Sequence, residues 1–373
     1  MKFNVPSKQL FGNLSILGKI VQSKNAISIL DNFLFTLEDD HITVTASDSE
    51  SVMTARITVF DAEGAGSFAV NVKNLLELLK ELADQPVTFS VDESSFEITL
   101  DYMNGKSNFV GIDGAQFPQK DEPKGEVTSM ELECSDVIKG VTNTVYAVGN
   151  EEIRRIMMGV YWDIKPDNVT FVASDTHKLV RYRNSKLQPG VTTSFILPQK
   201  PAQVLVSMLA RSEEGAKVKL SLDERSANFE TDNYTLTTRF INGKYPNYES
   251  VIPKSNPYEM IVDRQQMLNA VRRVSVFSSV GGLVTLDLSE SEVKIHTQDL
   301  DFATFADESV PCDYKGQNMV MGFNDAKIVE ILSNMQCEMV KLALSDPSRA
   351  GVFMPEKNDE GEDLLVLLMP MMI

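Results

Sequence analysis

The chain has 373 residues, 43% hydrophobic and 24% charged, a composition that suits a globular protein with several cores. Its 53 acidic residues against 35 basic ones leave a net charge of −18, which argues against a surface that binds nucleic acid all over and leaves room only for a local basic face. Three scattered cysteines (Cys134, Cys312 and Cys337) without a CxxC pair argue against a disulfide framework or a structural zinc site, and no apolar run is long enough for a signal peptide or a membrane span.

The first predicted element is a helix from Ser7, the residue placed to cap it, with Leu10, Leu14, Leu17 and Val21 along one face. Strands are expected next near 33–38, 41–47, 52–60 and 66–71. A second helix opens at Asn71 and carries Leu75, Leu76, Leu79 and Leu82. Three strands near 86–91, 95–100 and 107–112 end this block. A charged, Pro- and Gly-broken stretch from Asp121 to Glu126 separates it from the second block.

The order then repeats. A helix near Ser135 carries Val137, Ile138, Val141 and Val145, and strands near 157–164 and 168–174 flank the turn Lys165-Pro166-Asp167-Asn168. A second helix opens at Pro198 with Val204, Leu205, Met208 and Leu209, and strands near 217–222, 226–231 and 234–240 close the copy. After Pro253-Lys254-Ser255-Asn256-Pro257 a third copy begins at Asp263, with Met267, Leu268, Val271 and Val274 on its first helix. Ile328, Val329, Ile331, Leu332 and Met335 mark its second, and strands near 338–344, 350–355 and 364–369 end the chain, with 356–363 a loop.

The first helices start 128 residues apart (7 to 135, 135 to 263), and the second helices 127 and 126 apart (71 to 198, 198 to 324). So regular a period means three copies of one domain, with boundaries predicted at 1–122, 127–250 and 254–373. Each has two helices and seven or eight strands, an α+β domain with helices packed on antiparallel sheets.

Catalytic signals are sparse. None of His41, His177 and His296 lies in an HExxH, and no GxxxxGK[ST], GxGxxG or GxSxG occurs. Asp175 and His177, two apart, form either a turn with local hydrogen bonds or an acid–base pair. Basic and amide residues recur on the helices: Lys8, Lys19, Gln22, Lys24, Lys73 and Lys80 in the first copy, Lys139, Lys200 and Arg211 in the second, Arg264, Arg272, Arg273 and Lys327 in the third. They are either solvated surface or one basic face that binds phosphates without sequence preference. The apolar ending Leu367 to Ile373 is either a last core strand or a partner site rich in adaptable methionine.

Three segments together resemble a known family. Val172-Ala173-Ser174-Asp175-Thr176-His177-Lys178-Leu179 resembles the ATDGHRL motif of the bacterial DNA polymerase III β subunit, the sliding clamp. Phe240-Ile241-Asn242-Gly243-Lys244-Tyr245-Pro246-Asn247-Tyr248 resembles its L(V/I)DGRFPDY motif, and Met369-Pro370-Met371 its VMPMR ending; the opening MKF and the segment around Asp48 also fit. The resemblance covers the whole chain. It implies three DNA-clamp domains per chain and a head-to-tail homodimer closed into a ring of six domains.

On this resemblance the protein is a cytoplasmic, nucleoid-associated processivity factor, with no active site and no cofactor or metal. Its partners would be double-stranded DNA, DNA polymerases and their exonuclease complex, the clamp loader, and clamp binders of the mismatch-repair and ligase type. Lys8, Lys19, Lys24, Lys73, Lys80, Lys139, Lys200, Arg264, Arg272 and Arg273 would face DNA. A partner-motif pocket would be walled by Met157, Ser174, Thr176, His177, Lys178, Leu179, Pro246 and Val251, with Asn324, Leu367, Met369, Pro370 and Met371. Phe109, Val276 and Phe277 would lie in the dimer interface.

The chain departs from the family motifs in four places. Thr176 stands for the motif glycine, Lys178 for the arginine, Ser250 beside Glu249 for a basic residue, and Met372 for the penultimate arginine, which predicts a less basic pocket. The alternative to a clamp is a repeat scaffold that binds proteins and never encircles DNA.

Overall fold

The computed structural model describes residues 1–22, 25–119 and 123–373. Lys24 and the linker residues Asp121 and Glu122 lie outside the described residues. The first copy runs β1 (Lys2–Pro6), α1 (Ser7–Leu17), β2 (Asn32–Glu38), β3 (His41–Ser47), β4 (Ser51–Thr58), β5 (Phe60–Glu63), β6 (Gly66–Asn71), α2 (Val72–Glu81), β7 (Pro86–Val91), β8 (Glu97–Tyr102), β9 (Gly105–Val110) and β10 (Ile112–Asp113). The second runs β11 (Thr128–Glu133), α3 (Cys134–Val145), β12 (Gly159–Lys165), β13 (Asn168–Ser174), β14 (Lys178–Asn184), β15 (Thr193–Pro198), α4 (Gln199–Leu209), β16 (Lys217–Leu222), β17 (Ser226–Glu230) and β18 (Tyr234–Arg239). The third runs β19 (Tyr258–Asp263), α5 (Arg264–Ser275), β20 (Leu283–Leu288), β21 (Glu292–Asp299), β22 (Thr304–Lys315), β23 (Met319–Asn324), α6 (Asp325–Asn334), β24 (Met339–Leu344), β25 (Gly351–Pro355) and β26 (Glu362–Leu368).

Two differences from the sequence reading concern how a copy begins. A strand that the reading missed precedes each first helix: β1, β11 and β19. Each pairs antiparallel with the strand after the second helix, β7, β16 and β24. Ser7 is not the cap of α1. Pro6 holds that position, and the Ser7 hydroxyl donates to the Ala83 carbonyl and accepts from Gln85 N, tying the helix start to the chain before β7. The second helices do open as read, with the Asn71 and Asn324 side chains accepting from Asn74 N and Lys327 N.

The chain forms two compact units, Met1–Ile138 with Lys200–Phe240, and Lys139–Gln199 with Ile241–Ile373. In the first unit a five-stranded sheet has the order β5-β1-β7-β8-β9, and a nine-stranded sheet the order β10-β6-β2-β3-β4-β18-β17-β16-β11. Helices α1 and α2 pack together and bury Leu10, Leu14, Leu17, Leu75 and Leu79. In the second unit a twelve-stranded sheet runs β15-β12-β13-β14-β26-β25-β24-β19-β22-β21-β20-β23. Here α5 packs on α6, and Met267, Val271, Val274, Ile328 and Ile331 are buried. All paired strands are antiparallel.

One rule joins consecutive copies. The last strand of the second copy, β18, pairs with β4 of the first, with Val52 opposite Thr237. The last strand of the third, β26, pairs with β14 of the second, with Leu179 opposite Leu367. Among the described residues no helix is long and apolar enough to cross a membrane.

Candidate partner pocket and nucleic-acid face

Three residues, Asp175, Thr176 and His177, turn the chain from β13 into β14. The Asp175 carboxylate accepts from the backbone N–H of His177 (2.9 Å) and of Lys178 (2.8 Å). Ser174 Oγ donates to the Lys178 carbonyl at 2.8 Å and accepts from Thr176 N at 3.1 Å. Thr176 takes φ +77°, the left-handed region that costs a side chain about 1–2 kcal/mol. Its hydroxyl accepts from Arg154 Nη1 at 2.9 Å, which anchors the strained residue. Asp175 therefore meets the backbone of His177. Its second oxygen takes the Lys327 ammonium at 2.5 Å. Burial disfavours the Asp175 charge, but Lys327, the two backbone donors and Lys178 outweigh it and lower its pKa. Such an ion-paired carboxylate is a structural anchor, not a proton acceptor.

The alternation of a strand sends Lys178 and Leu179 to opposite faces of the sheet. Lys178, nearly buried, places Nζ 2.5 Å from Glu330 and 3.3 Å from Asp175, over the Tyr146 ring. It lines a polar cavity of about 520 Å³ together with Met157, Thr176 and His177. On the other face Leu179 and Leu367 join Val172, Tyr245, Tyr248 and Val352 in an apolar cluster. Tyr245 stacks on Tyr161 with centroids 4.7 Å apart, and the Tyr248 hydroxyl donates to Asp163 at 2.8 Å. These contacts fix the segment that carries the exposed Pro246 and Val251.

Two backbone bonds dock the C-terminal segment: Met369 N to the His177 carbonyl and Met371 N to the Gly322 carbonyl, both 2.8 Å. Met369 stays 45% exposed and Met372 97%, so apolar surface is left beside Leu367. Asn324, which caps α6, lies two residues from that second anchor. Of the thirteen pocket residues, four, Met157, Thr176, His177 and Lys178, surround the polar cavity, two, Leu179 and Leu367, enter the apolar cluster on the other face, and the other seven line neither.

Sequence reading missed Arg181, Arg183 and Asp363 along this same face. Two and four positions beyond Leu179, Arg181 pairs with Asp363 and lies 3.6 Å from Glu249, and Arg183 reaches Glu249 at 3.0 Å. Counting in twos from Leu179 would have found both arginines. The partnering acids come from distant sequence, so no local signal marks the neutralisation.

The basic residues read onto the helices are used in different ways, and one of them, Lys19, lies past the end of α1. Lys8, Lys73 and Lys80 are exposed, the first two with loose partners 3.9 Å away, Asp84 and Glu77. Lys19 donates to Ser207 and Arg272 to Ser333, and both remain exposed. Lys139 is held by Glu362 at 2.9 Å, Arg273 by a two-pronged bond to Glu308, and Lys200 by the Ile20 carbonyl and Asp48. Arg264 donates to the carbonyls of Leu332 (2.9 Å) and Cys337 (2.8 Å), where it caps the end of α6. At the candidate interface Val276 is 77% and Phe277 43% exposed, and Phe109 on β9 is half-buried.

Comparison with known proteins gives one answer along the entire length. Family models for the DNA polymerase III beta subunit match its N-terminal domain at residues 1–119, its central domain at 131–247 and its C-terminal domain at 249–372. The beta sliding clamps of Pseudomonas putida and Haemophilus influenzae are 24% and 25% identical, each aligned over 100% of both chains. Among solved structures, the Pseudomonas aeruginosa sliding clamp bound to griselimycin superposes with a TM-score of 0.92 at 23% identity, covering 100% of both chains. The Thermotoga maritima beta subunit gives 0.91 at 21%, covering 100% of this chain and 99% of that one. The chain belongs to the DNA polymerase III beta subunit family, the bacterial sliding clamps, which are processivity factors and not enzymes.

Proposed function

We propose that two copies of this chain join head to tail into a six-domain ring around duplex DNA and tether polymerases to it. The observation that carries this is the rule joining the copies. Within the chain, β18 seals against β4 and β26 against β14. The same rule calls for β9, the closing strand of the first copy, against β22 of the third. Among the described residues β9 pairs only with β8, and the Thr304–Val310 half of β22 only with β21. Each chain thus offers one open edge of each kind, the condition for a closed two-chain assembly. Exposed apolar side chains accompany both edges: Val110 at 84%, Phe305 at 57% and Val276 at 77%.

The exposed cations Lys8, Lys19, Lys73, Lys80 and Arg272 supply the DNA-facing charge. In a chain of net −18 with many neutralised cations, affinity for phosphate stays low and retention comes from encirclement. The apolar cluster at Leu179 and Leu367, flanked by Val251 and Met369, takes linear motifs of polymerases, of the clamp loader and of repair proteins. Domain boundaries at 1–122, 127–250 and 254–373 and a place in the cytoplasm complete this reading.

Retention on DNA tests it. Protein is loaded by its clamp loader and ATP onto a nicked circular plasmid, then passed through a sizing column before and after linearisation. Retention on the circle and loss from the linear form support the ring. Equal loss from both, with an active loader, leaves the scaffold alternative, and equal retention on both means ordinary DNA affinity.

A further inference from the structure

The turn that presents the partner pocket has a counterpart in the first unit. Ala46-Ser47-Asp48-Ser49 leads from β3 into β4 as Ala173-Ser174-Asp175-Thr176 leads from β13 into β14. Ser49 takes φ +75° and Thr176 +77°. Asp48 accepts from Glu50 N and Ser51 N, as Asp175 does from His177 N and Lys178 N. Lys200 reaches Asp48 at 3.7 Å, as Lys327 reaches Asp175 at 2.5 Å. Val52 opposite Thr237 takes the place of Leu179 opposite Leu367, and Phe117-Pro118 the place of Tyr245-Pro246. Phe117 is buried on Ile29 and Leu30, as Tyr245 is in the second unit's cluster.

A cavity of about 240 Å³ opens at this turn. Its apolar wall is Ile27, Leu30, Val52 and Pro118. It has room for one large side chain and is smaller than a site for a drug-sized molecule. Cations predominate at its rim. Lys124, Arg225 and Arg239 stand against two carboxylates: Glu50, which pairs loosely with Arg239 at 3.8 Å, and Asp223, which already accepts from the N–H groups of Arg225 and Ser226 and the Ser226 hydroxyl. Thr237 and Arg239 stand where the second unit has Leu367 and Met369, so at these two positions a hydroxyl and a guanidinium replace two apolar side chains.

We propose that this cavity is a second docking site, for an extended peptide segment of a partner protein that carries one Leu or Phe followed by a carboxylate. The proposal rests on the reading of the Leu179 cluster as a partner-motif pocket and extends it by the internal repeat.

The test uses the full chain with labelled Ile, Leu and Val methyl groups, titrated with the blocked peptide acetyl-Ala-Leu-Asp-Ala-amide. Its Asn counterpart and a short DNA duplex are titrated in parallel. Saturable shifts at Ile27, Leu30 and Val52 are expected. Arg239→Glu, an exposed change, weakens them about fivefold and leaves shifts at Leu179 and Leu367 unaltered. Shifts confined to Leu179 and Leu367 overturn the second site and leave the first standing. Silence at both sets overturns both. Equal response to the Asn peptide removes the carboxylate from the proposal, and shifts at Ile27 and Val52 with the duplex alone assign the cavity to phosphate.

Discussion

Glu362 opens β26 with its side chain only 8% exposed, and it gathers Lys139 at 2.9 Å, Lys186 at 2.8 Å and the Tyr182 hydroxyl at 2.7 Å. Burial works against its charge, but the bonds from Lys186, Lys139 and Tyr182 win and hold the carboxyl at about 2 instead of 4.5. At about 1.36 kcal/mol per pH unit that gap corresponds to roughly 3 kcal/mol; both lysines are half-exposed, and screening reduces it to about 2 kcal/mol. Because the folded-state value is depressed, the stabilisation is complete above 4.5 and is lost as pH falls from there towards 2. Glu362→Gln is therefore expected to cost about 2 kcal/mol at pH 7 and less than half of that at pH 3. Trp162, the single tryptophan and fully buried in the same unit, reports the unfolding in urea by fluorescence. The same substitution leaves Lys139 with the exposed Asp359 at 3.6 Å, so salt-dependent association with short duplex DNA should gain less than one counterion in slope. A variant as stable as the parent at pH 7, or one whose deficit does not shrink on acidification, would refute the electrostatic account.

Charge reversal at Lys19, Lys80 and Arg272 together should shorten retention on circular plasmid several-fold, whereas Lys139→Ala and Arg273→Ala should change it little because carboxylates already neutralise both. Phe305→Asp or Val110→Asp should shift the sedimentation equilibrium from two chains to one with Trp162 emission unchanged, since both side chains are exposed in the single chain. Removing Met369 to Ile373 should abolish polymerase stimulation and leave two-chain rings, with folding checked by urea titration because two backbone bonds are also lost. Gly140→Ala should cost about 1–3 kcal/mol, as its new methyl would lie 2.3 Å from the Phe171 ring.

The repeat and the helices were legible because six amphipathic helices with apolar stripes recur at a nearly fixed offset, and a pattern seen three times resists local noise. The strands β1, β11 and β19 were not. Each has five or six residues and buries two apolar side chains, Phe3 and Val5, Met130 and Leu132, Met260 and Val262, which gives only two cycles of a period-two signal. What makes them strands is the partner across the sheet, some 85 residues away in the pairing of Phe3 with Phe89. Ser7 illustrates the same limit. A serine before an apolar stripe reads as a cap, yet its hydroxyl serves Ala83 and Gln85, groups that only tertiary structure brings near.

At the site, residue type was legible and residue use was not. The basic residues picked from the helices include exposed cations such as Lys80 and cations already committed to protein carbonyls, such as Arg264. Nothing in the spacing of Arg264 separates it from Arg272, because Leu332 and Cys337 lie some seventy residues on. The expected weakness of positive charge at the pocket was argued from motif positions alone, and the structure adds residues that the motifs do not name. Ser250 takes the place of a basic residue, and two arginines the motifs never named, Arg181 and Arg183, stand on the same face and are held by the neighbouring Glu249 and by Asp363. On the proposed function, a partner segment that brings its own carboxylate to this face must compete with Glu249 for Arg181 and Arg183, and one that brings a cation must compete with those arginines for Glu249. Selectivity at the proposed pocket would then turn on how readily Glu249 and Asp363 release the two arginines, and not on the apolar anchor alone that the motifs define.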